Sequence, residues 1–288
     1  LLPDGNEGEP AGINELIDYT FGDMPPSLPE WPPLRQPHES AQQLQDREDK
    51  GAAWTSALTT NSRYFQSKAI LTPKNKDVDE TNDRVLERLP GDVTTFLSAD
   101  SIAPGDDNAT RYPVEFLNSL NISGLPPHQL SVKIGAVLML LRNLSPRDGL
   151  CNGTRFLLTC MHRRVLEGIV ISGTYLGSKV MIPRIPLIPT DTRFPFQLKR
   201  LQFPVKVAFA MTINKSQGQS LERVGLFLPR PVFGHGQLYV ALSRSGNPPT
   251  GQRGVRIVAP DTPDGKQGRF DELEGVYTRN VVYREVLG

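Results

Sequence analysis

The chain has 288 residues, 38% of them hydrophobic and 22% charged, with 26 Pro, 25 Gly and a formal net charge of +1. That length suits one large domain or two modest ones, and the Pro and Gly content predicts a loop-rich protein with some disordered stretches. The longest unbroken apolar run, residues 134–141, is too short to cross a bilayer, and no basic-then-apolar leader opens the sequence. A soluble, non-secreted, intracellular protein without a membrane partner is therefore expected. Cys151 and Cys160 are the only cysteines and the four His are scattered, which argues against a disulfide framework, a metal site and thiol chemistry.

The near-zero total conceals a segregation of charge. Residues 1–50 carry 3 Lys/Arg against 11 Asp/Glu, whereas residues 131–206 carry 12 against 3. A basic segment of that density is the footprint expected of a surface that meets phosphates. The same charge would serve equally as a solvated face balancing the acidic end.

In chain order, residues 1–62 read as a poorly ordered junction. Residues 4–12 are polar, 24–37 contain six prolines, and 39–50 are charged and Gln-rich, a composition that buries too little apolar area to offset the entropy of ordering. Only residues 13–21 predict a short helix, with Ile13, Leu16 and Ile17 on one face. The chain opens at Leu1 without Met, as a piece of something longer would.

Ala69, Ile70 and Leu71 read as a buried strand closed by Thr72-Pro73. A helix follows, capped by Asp77 with Glu80, striped by Val78, Val85, Leu86 and Leu89, and stopped by Pro90-Gly91. Residues 93–98 then read as a second strand, so a βαβ crossover with a parallel pair is expected. Pro113 opens one more short helix over 114–120. Beyond Gln129, apolar runs at 132–134, 136–141, 156–161, 165–171 and 179–182 alternate with Asp-Gly, Asn-Gly and Gly turns, the pattern of antiparallel hairpins in a small barrel. Residues 203–213 read as one buried strand, 224–228 and 255–258 as two more, and 236–243 as a helix. The whole is an α/β domain, 63–128 with 201–260, interrupted by an all-β insertion over 129–200 and followed by a tail, 261–288.

Chemistry concentrates in two places. Residues 212–220, Thr-Ile-Asn-Lys-Ser-Gln-Gly-Gln-Ser, follow a strand directly, and the carboxyl ends of strands are where α/β sheets bind ligands. Small and hydroxyl residues with one Lys can bring N–H groups and a cation to a phosphate, although an ordinary polar turn would look the same. This is no Walker A loop, because Asn214 stands where Gly is required. The second place is residues 236–244, a short apolar helix ending in Arg244. That side chain would serve as a cation reaching a transferring phosphoryl group, or would simply neutralise the dipole of its own helix.

Residues 212–221 and 237–244 resemble motifs V and VI of superfamily-one helicases, and the wider match is to the Pif-type DNA helicases, especially those of Helitron transposable elements. Residues 69–75 (AILTPKN), 124–128 (GLPPH), 138–143 and 149–154 (GLCNGT) support the resemblance, which runs from about Ser67 to Val258, with 277–287 similar to the family's C-terminal end. It implies a second RecA-like domain, a parallel sheet with helices, with an inserted small β-barrel. It also implies ATP and Mg²⁺ as cofactors, single-stranded DNA as a partner, and a nuclear protein. By resemblance Arg244 is the catalytic arginine finger, and Gln217, Gly218, Tyr239 and Arg244 line the nucleotide, with Tyr239 packed beside the site. Thr212, Lys215 and Ser216 lie toward the DNA, joined by Arg142, Arg155, Lys199 and Arg200 from the basic segment.

Two departures qualify that picture. No Gly-x4-Gly-Lys-Ser/Thr occurs: Gly265-Lys266-Gln267 lacks the hydroxyl and the upstream Gly, and Phe270-Asp271-Glu272 lacks the apolar strand of a Walker B pair. The chain alone is accordingly expected to hold no ATP–Mg²⁺ productively and to neither hydrolyse ATP nor unwind DNA, needing a first RecA-like domain in cis or in trans. A DNA-binding remnant of a mobile element, without enzymatic activity, is the alternative. The family also often shows Arg where this chain has Lys68, which removes any planar bidentate contact there.

Overall fold

The computed structural model describes residues 12–29, 40–103, 112–122, 124–189, 194–246, 254–260, 267–268 and 277–278. The polar N-terminal stretch 1–11, most of the Pro-rich run, Gly265-Lys266 and Phe270-Asp271-Glu272 lie outside the described residues. From the N-terminus the elements are α1 (Ile13–Phe21), α2 (Ala41–Gln66), β1 (Lys68–Thr72), α3 (Asn75–Arg88), β2 (Thr94–Leu97), β3 (Ala99–Ile102), α4 (Val114–Ser119), β4 (Gln129–Val132) and β5 (Val137–Leu140). There follow β6 (Arg155–Met161), β7 (Val165–Val170), β8 (Lys179–Pro183), β9 (Ile185–Leu187), β10 (Leu198–Gln202), β11 (Val205–Val207), β12 (Ala210–Thr212), β13 (Arg223–Phe227), α5 (Gln237–Leu242) and β14 (Val255–Val258). Among the described residues no helix is long and apolar enough to cross a membrane.

The chain divides into two compact units. One comprises Leu1–Pro25, Tyr64–Arg88 and Phe209–Gly288, the other Pro26–Arg63 and Leu89–Ala208. The first is α/β, with a parallel sheet in the order β12-β1-β13-β14. Every residue of β1 is buried, as a central strand covered on both faces must be. Helix α1 packs its predicted stripe, Ile13, Leu16 and Ile17 with Phe21, against this sheet. Gly225 of β13 permits the approach: a Cβ there would lie 2.6 Å from Thr20 Oγ1 and 3.1 Å from Ile70 Cγ1. Helix α3 packs on β12 and β1, and its buried Asn82 accepts the Ala210 N–H at 2.7 Å while donating to the Ala210 carbonyl at 3.2 Å.

The expected βαβ crossover is not formed. The neighbours of β1 are β12 and β13, from the far side of the insertion, and β2 pairs antiparallel with β4 in the other unit. The cause is local: β2 alternates half-buried with exposed residues, which suits a strand with one solvated face and not the interior of a parallel sheet. Residues 203–213 likewise do not form one strand. Pro204, with no N–H to donate, separates β10 from β11, and the chain passes between units at Ala208 and Phe209. The insertion therefore runs from Leu89 to Ala208 and is longer at both ends than 129–200.

Within residues 1–62 the stretch 13–21 is helical as expected, and 41–62 is helical as well, where a poorly ordered junction was expected. In α2 the residues Trp54, Leu58, Asn61 and Phe65 are buried, a sparse stripe at spacings of three and four. Phe65 packs against Phe21 and Phe209 with ring centroids 6.1 and 5.5 Å apart. Asp23, just beyond α1, accepts hydrogen bonds at 3.0 Å from Tyr64, Lys68 and Arg223. Lys68 Nζ also stands 3.3 Å from the Tyr64 ring centroid, a point charge over an aromatic face. Burial alone would raise the Asp23 carboxyl, but the hydrogen bonds from Lys68 and Tyr64 and the Lys68 charge outweigh it and hold the pKa at about 2. The same burial, reinforced by the neighbouring carboxylate, pushes the Tyr64 hydroxyl up.

The second unit is mainly antiparallel. A five-stranded sheet, β11-β5-β6-β7-β8, and the β2-β4 ribbon contribute to one core that includes Leu130, Val132, Leu138, Phe156, Leu166 and Phe203. The β3-β10-β9 sheet and α4 contribute to a smaller one around Leu117, Leu187, Phe196 and Leu198. Arg200 crosses that second core. Its guanidinium meets the Asp100 carboxylate at 3.0 and 2.6 Å and donates to the carbonyls of Pro126, Leu117 and Leu120. Asp100 takes a further hydrogen bond from Ser98 Oγ at 2.7 Å.

Three outcomes are expected from this packing. Gly225→Val destabilises the protein by about 1–3 kcal/mol through overpacking against Thr20, read from the midpoint of urea unfolding. Arg200→Met costs about 3–5 kcal/mol, because it leaves the Asp100 charge buried without its counter-ion; a loss below about 1 kcal/mol would contradict the arrangement. Asp23, ionised more readily when folded, adds stability that is full above its ordinary pKa of ~3.9 and is lost as the pH falls toward about 2. Unfolding midpoints of Asp23→Asn measured across that interval should accordingly depend less on pH than those of the parent.

Candidate nucleotide and nucleic-acid site

The loop after β12 and the end of α5 meet at the carboxyl end of the parallel sheet. Thr72 of β1 and Thr212 of β12 stand in register there, and the chain then tightens into a 3₁₀ turn, Ile213–Ser216, against which α5 packs. Ile213 is buried beneath it, and Ser216 Oγ donates to the Ile213 carbonyl at 2.7 Å. Asn214, Lys215, Gln217 and Gly218 are exposed. Gly218 has φ +81°, a left-handed conformation that a side chain resists, so the reversal before Gln219 requires this residue.

Backbone bonds hold the two segments together. Leu221 N–H donates to the Arg244 carbonyl and Gly246 N–H to the Leu221 carbonyl, each at 2.9 Å. Arg244 adds its side chain: Nη1 donates to the Gln219 carbonyl at 3.2 Å, Nε to the Val240 carbonyl at 3.0 Å and Nη2 to Ser243 Oγ at 2.9 Å. The contact with Val240 is the interaction with its own helix that the spacing left open. Gln237, passed over in the sequence, is buried and accepts N–H bonds from Phe233 and Gly234 through Oε1, which fixes the entry to α5.

The unit thus brings Thr212, Lys215, Ser216, Gln217, Gly218 and Arg244 to one end of its sheet. Three details differ from expectation. Tyr239 is 75% exposed and not packed beside the site, because it lies on the opposite side of α5 from buried Gln237 and Ala241. Ser216 is buried with its hydroxyl engaged, which removes it from a DNA-facing surface. Arg155 and Arg200, in the other unit, are each only 1% exposed and cannot contact a DNA backbone. Arg155 donates to the Ala208 carbonyl at 3.4 Å, and burial lowers its pKa to about 10. Arg142 and Lys199 of the same unit are half-buried.

No metal site was expected, yet the second unit places Cys160, His162 and Glu167 with their donor atoms all within 4.8 Å of one another. The sequence signal was a Cys-x-His pair preceding a turn, with a Glu on the returning strand.

Comparison with known proteins places these features. Residues 115–161, from α4 to the end of β6, match the family described as DNA helicase Pif1, 2B domain. The rat ATP-dependent DNA helicase PIF1 is 35% identical over 175 residues, covering 59% of this chain and 24% of the relative. The Campylobacter jejuni ATP-dependent DNA helicase Pif1 is 55% identical over 201 residues, covering 63% of this chain and 40% of the relative. A crystal structure of Bacteroides Pif1 bound to ssDNA has a TM-score of 0.49 and 21% identity, covering 66% of this chain and 40% of that one. The chain spans about a quarter of the length of the rat relative. With the helicase-like segments in order along the sequence and the 2B match inside the insertion, these similarities support a C-terminal part of a Pif1-type helicase.

Proposed function

We propose that this chain supplies the second RecA-like domain and the 2B insertion of an ATP-dependent DNA helicase, acting at a nucleotide site completed by a first RecA-like domain. The observation that carries the reading is the tie between the loop after β12 and the end of α5, through Leu221, Gln219, Arg244 and Gly246. It keeps one cation and one exposed polar loop at the same end of a parallel sheet, where a nucleotide is received. Gln217 and Gly218 face the nucleotide. Arg244 acts as the finger by exchanging its bonds to the Gln219 and Val240 carbonyls for the charge developing on the γ-phosphoryl group. ATP and Mg²⁺ are the cofactors; the residues that grip the β- and γ-phosphates and the metal belong to the first RecA-like domain. The chain alone then has no ATP turnover.

Thr212 and Lys215 of the α/β unit, and independently Arg142 and Lys199 of the insertion, contact single-stranded DNA by backbone charge and not by base identity. Action inside the cell, in the nucleus where there is one, goes with this reading.

A second reading rests on the hydrogen bonds of Arg244, which among the described residues go to its own unit. On that reading Arg244 is a staple of the fold and the chain a DNA-binding remnant. The two separate when the chain is mixed with an isolated first RecA-like domain of a Pif1-type helicase and single-stranded DNA. A finger predicts restored ATP hydrolysis that Arg244→Ala lowers by about 10³–10⁵-fold with little change in DNA affinity. A staple predicts no restored turnover, and an Arg244→Ala variant that is merely less stable. For the DNA path, joint neutralisation of Lys215, Arg142 and Lys199 should reduce the slope of log affinity against log salt by roughly 2. An unchanged slope would remove these residues from the interface.

A further inference from the structure

The β6–β7 hairpin gathers three chemically different metal-binding side chains at one point. Cys160 Sγ lies 3.3 Å from His162 Nε2, and the same nitrogen lies 2.9 Å from Glu167 Oε1. The cause is a slip in strand register. Leu158 stands opposite Gly168, but past Thr159 the pairing shifts, so that Cys160 opposes Glu167 and Met161 opposes Leu166. Without the extra residue, alternation would turn Cys160 toward the core beside Phe156 and Leu158, and Met161 outward. The bulge inverts this: Met161 packs on the core and Cys160 joins Glu167 on the outer side. His162 follows two residues later, and its N–H closes the turn on the Val165 carbonyl at 2.9 Å.

We propose that Cys160, His162 and Glu167 bind a divalent ion of the zinc type through Sγ, Nε2 and a carboxylate oxygen, leaving a fourth position to water. A thiolate with an imidazole excludes the hard cations, which take oxygen ligands, and is the donor set of zinc. Zinc–ligand bonds of ~2.0–2.3 Å put tetrahedral ligands about 3.3–3.6 Å apart. The distances found are slightly shorter, so a small outward shift of Glu167 and His162 admits the ion. Its role is to pin the hairpin whose turn displays the exposed Arg163 and Arg164, ordering two cations of the basic segment.

The test uses the full chain, free of any affinity tag, titrated with Zn²⁺ against a chromogenic chelator and, separately, with Co²⁺. Expected are saturation at one ion per chain and a four-coordinate cobalt spectrum carrying a thiolate-to-cobalt charge-transfer band. Cys160→Ser abolishes the band, and Cys160→Ser and His162→Ala each weaken binding by roughly tenfold or more, whereas Cys151→Ser changes neither. Circular dichroism verifies that each variant is folded, and Zn²⁺ should raise the thermal midpoint of the parent and not of Cys160→Ser. Binding that does not saturate, or that survives Cys160→Ser unchanged, overturns the proposal and leaves the three side chains a hydrogen-bonded cluster on a hairpin.

Discussion

The loop after β12 depends on one non-local pairing, that of β12 with β1. The two strands are separated in sequence by the whole of Leu89–Ala208, and they meet in parallel with Thr72 beside Thr212. Strands this far apart gain nothing until the intervening chain is closed, a loop cost that grows only slowly with length but precedes every contact in the site. As the edge of its sheet, β12 also has one row of backbone groups without a strand partner. Asn82 supplies one, its side-chain amide taking both the N–H and the carbonyl of Ala210. A helix residue thus completes the edge from which the 3₁₀ turn begins, and the position of Lys215 and Gln217 follows from it.

The hydrogen bonds of Arg244 bear on both readings of that residue. A guanidinium left free at the end of a six-residue helix would sample many rotamers, and ordering it for phosphate contact would cost entropy. Bonds to the Gln219 and Val240 carbonyls hold it within the site at the expense of having to break. An ionic contact with a phosphoryl group is stronger than a charge–carbonyl bond, so on the proposed reading a phosphoryl group would compete for the guanidinium. The resting contacts therefore accord with a finger as well as with a staple.

How much was legible from the sequence depended on whether a residue's role was set by its near neighbours. The stripe of Ile13, Leu16 and Ile17, the buried run of β1 and the strands β13 and β14 were readable because each carries its own periodicity. Helix α2 was not, since Trp54, Leu58, Asn61 and Phe65 are too sparse a stripe to stand out among Gln, Asp and Thr. Pairing was illegible for a different reason: β1, α3 and β2 have the spacing of a crossover, and only the alternation within β2 hinted that it belonged elsewhere. At the site, the two segments were legible as words, but the bonds through Gln219 and Leu221 that join them were not. The Cys160 cluster depends on a register slip that no period reveals.

The buried arginines show why a count of charges overstates a binding face. Alternation along β10 buries Leu198, Arg200 and Gln202 and turns Lys199 and Leu201 outward, so Arg200 is in phase with the core despite its charge. Such a residue is tolerable only with an ionised partner and its remaining donors satisfied, and Asp100 with three carbonyls meets that condition. Of the 12 basic residues between 131 and 206, Arg155 and Arg200 are internal. Their charge still contributes to the field of the unit, though Asp100, which lies outside that segment, cancels that of Arg200 at close range. Any field presented to a polyanion thus rests more heavily on side chains such as Lys199, Arg163 and Arg164, whose charges reach solvent.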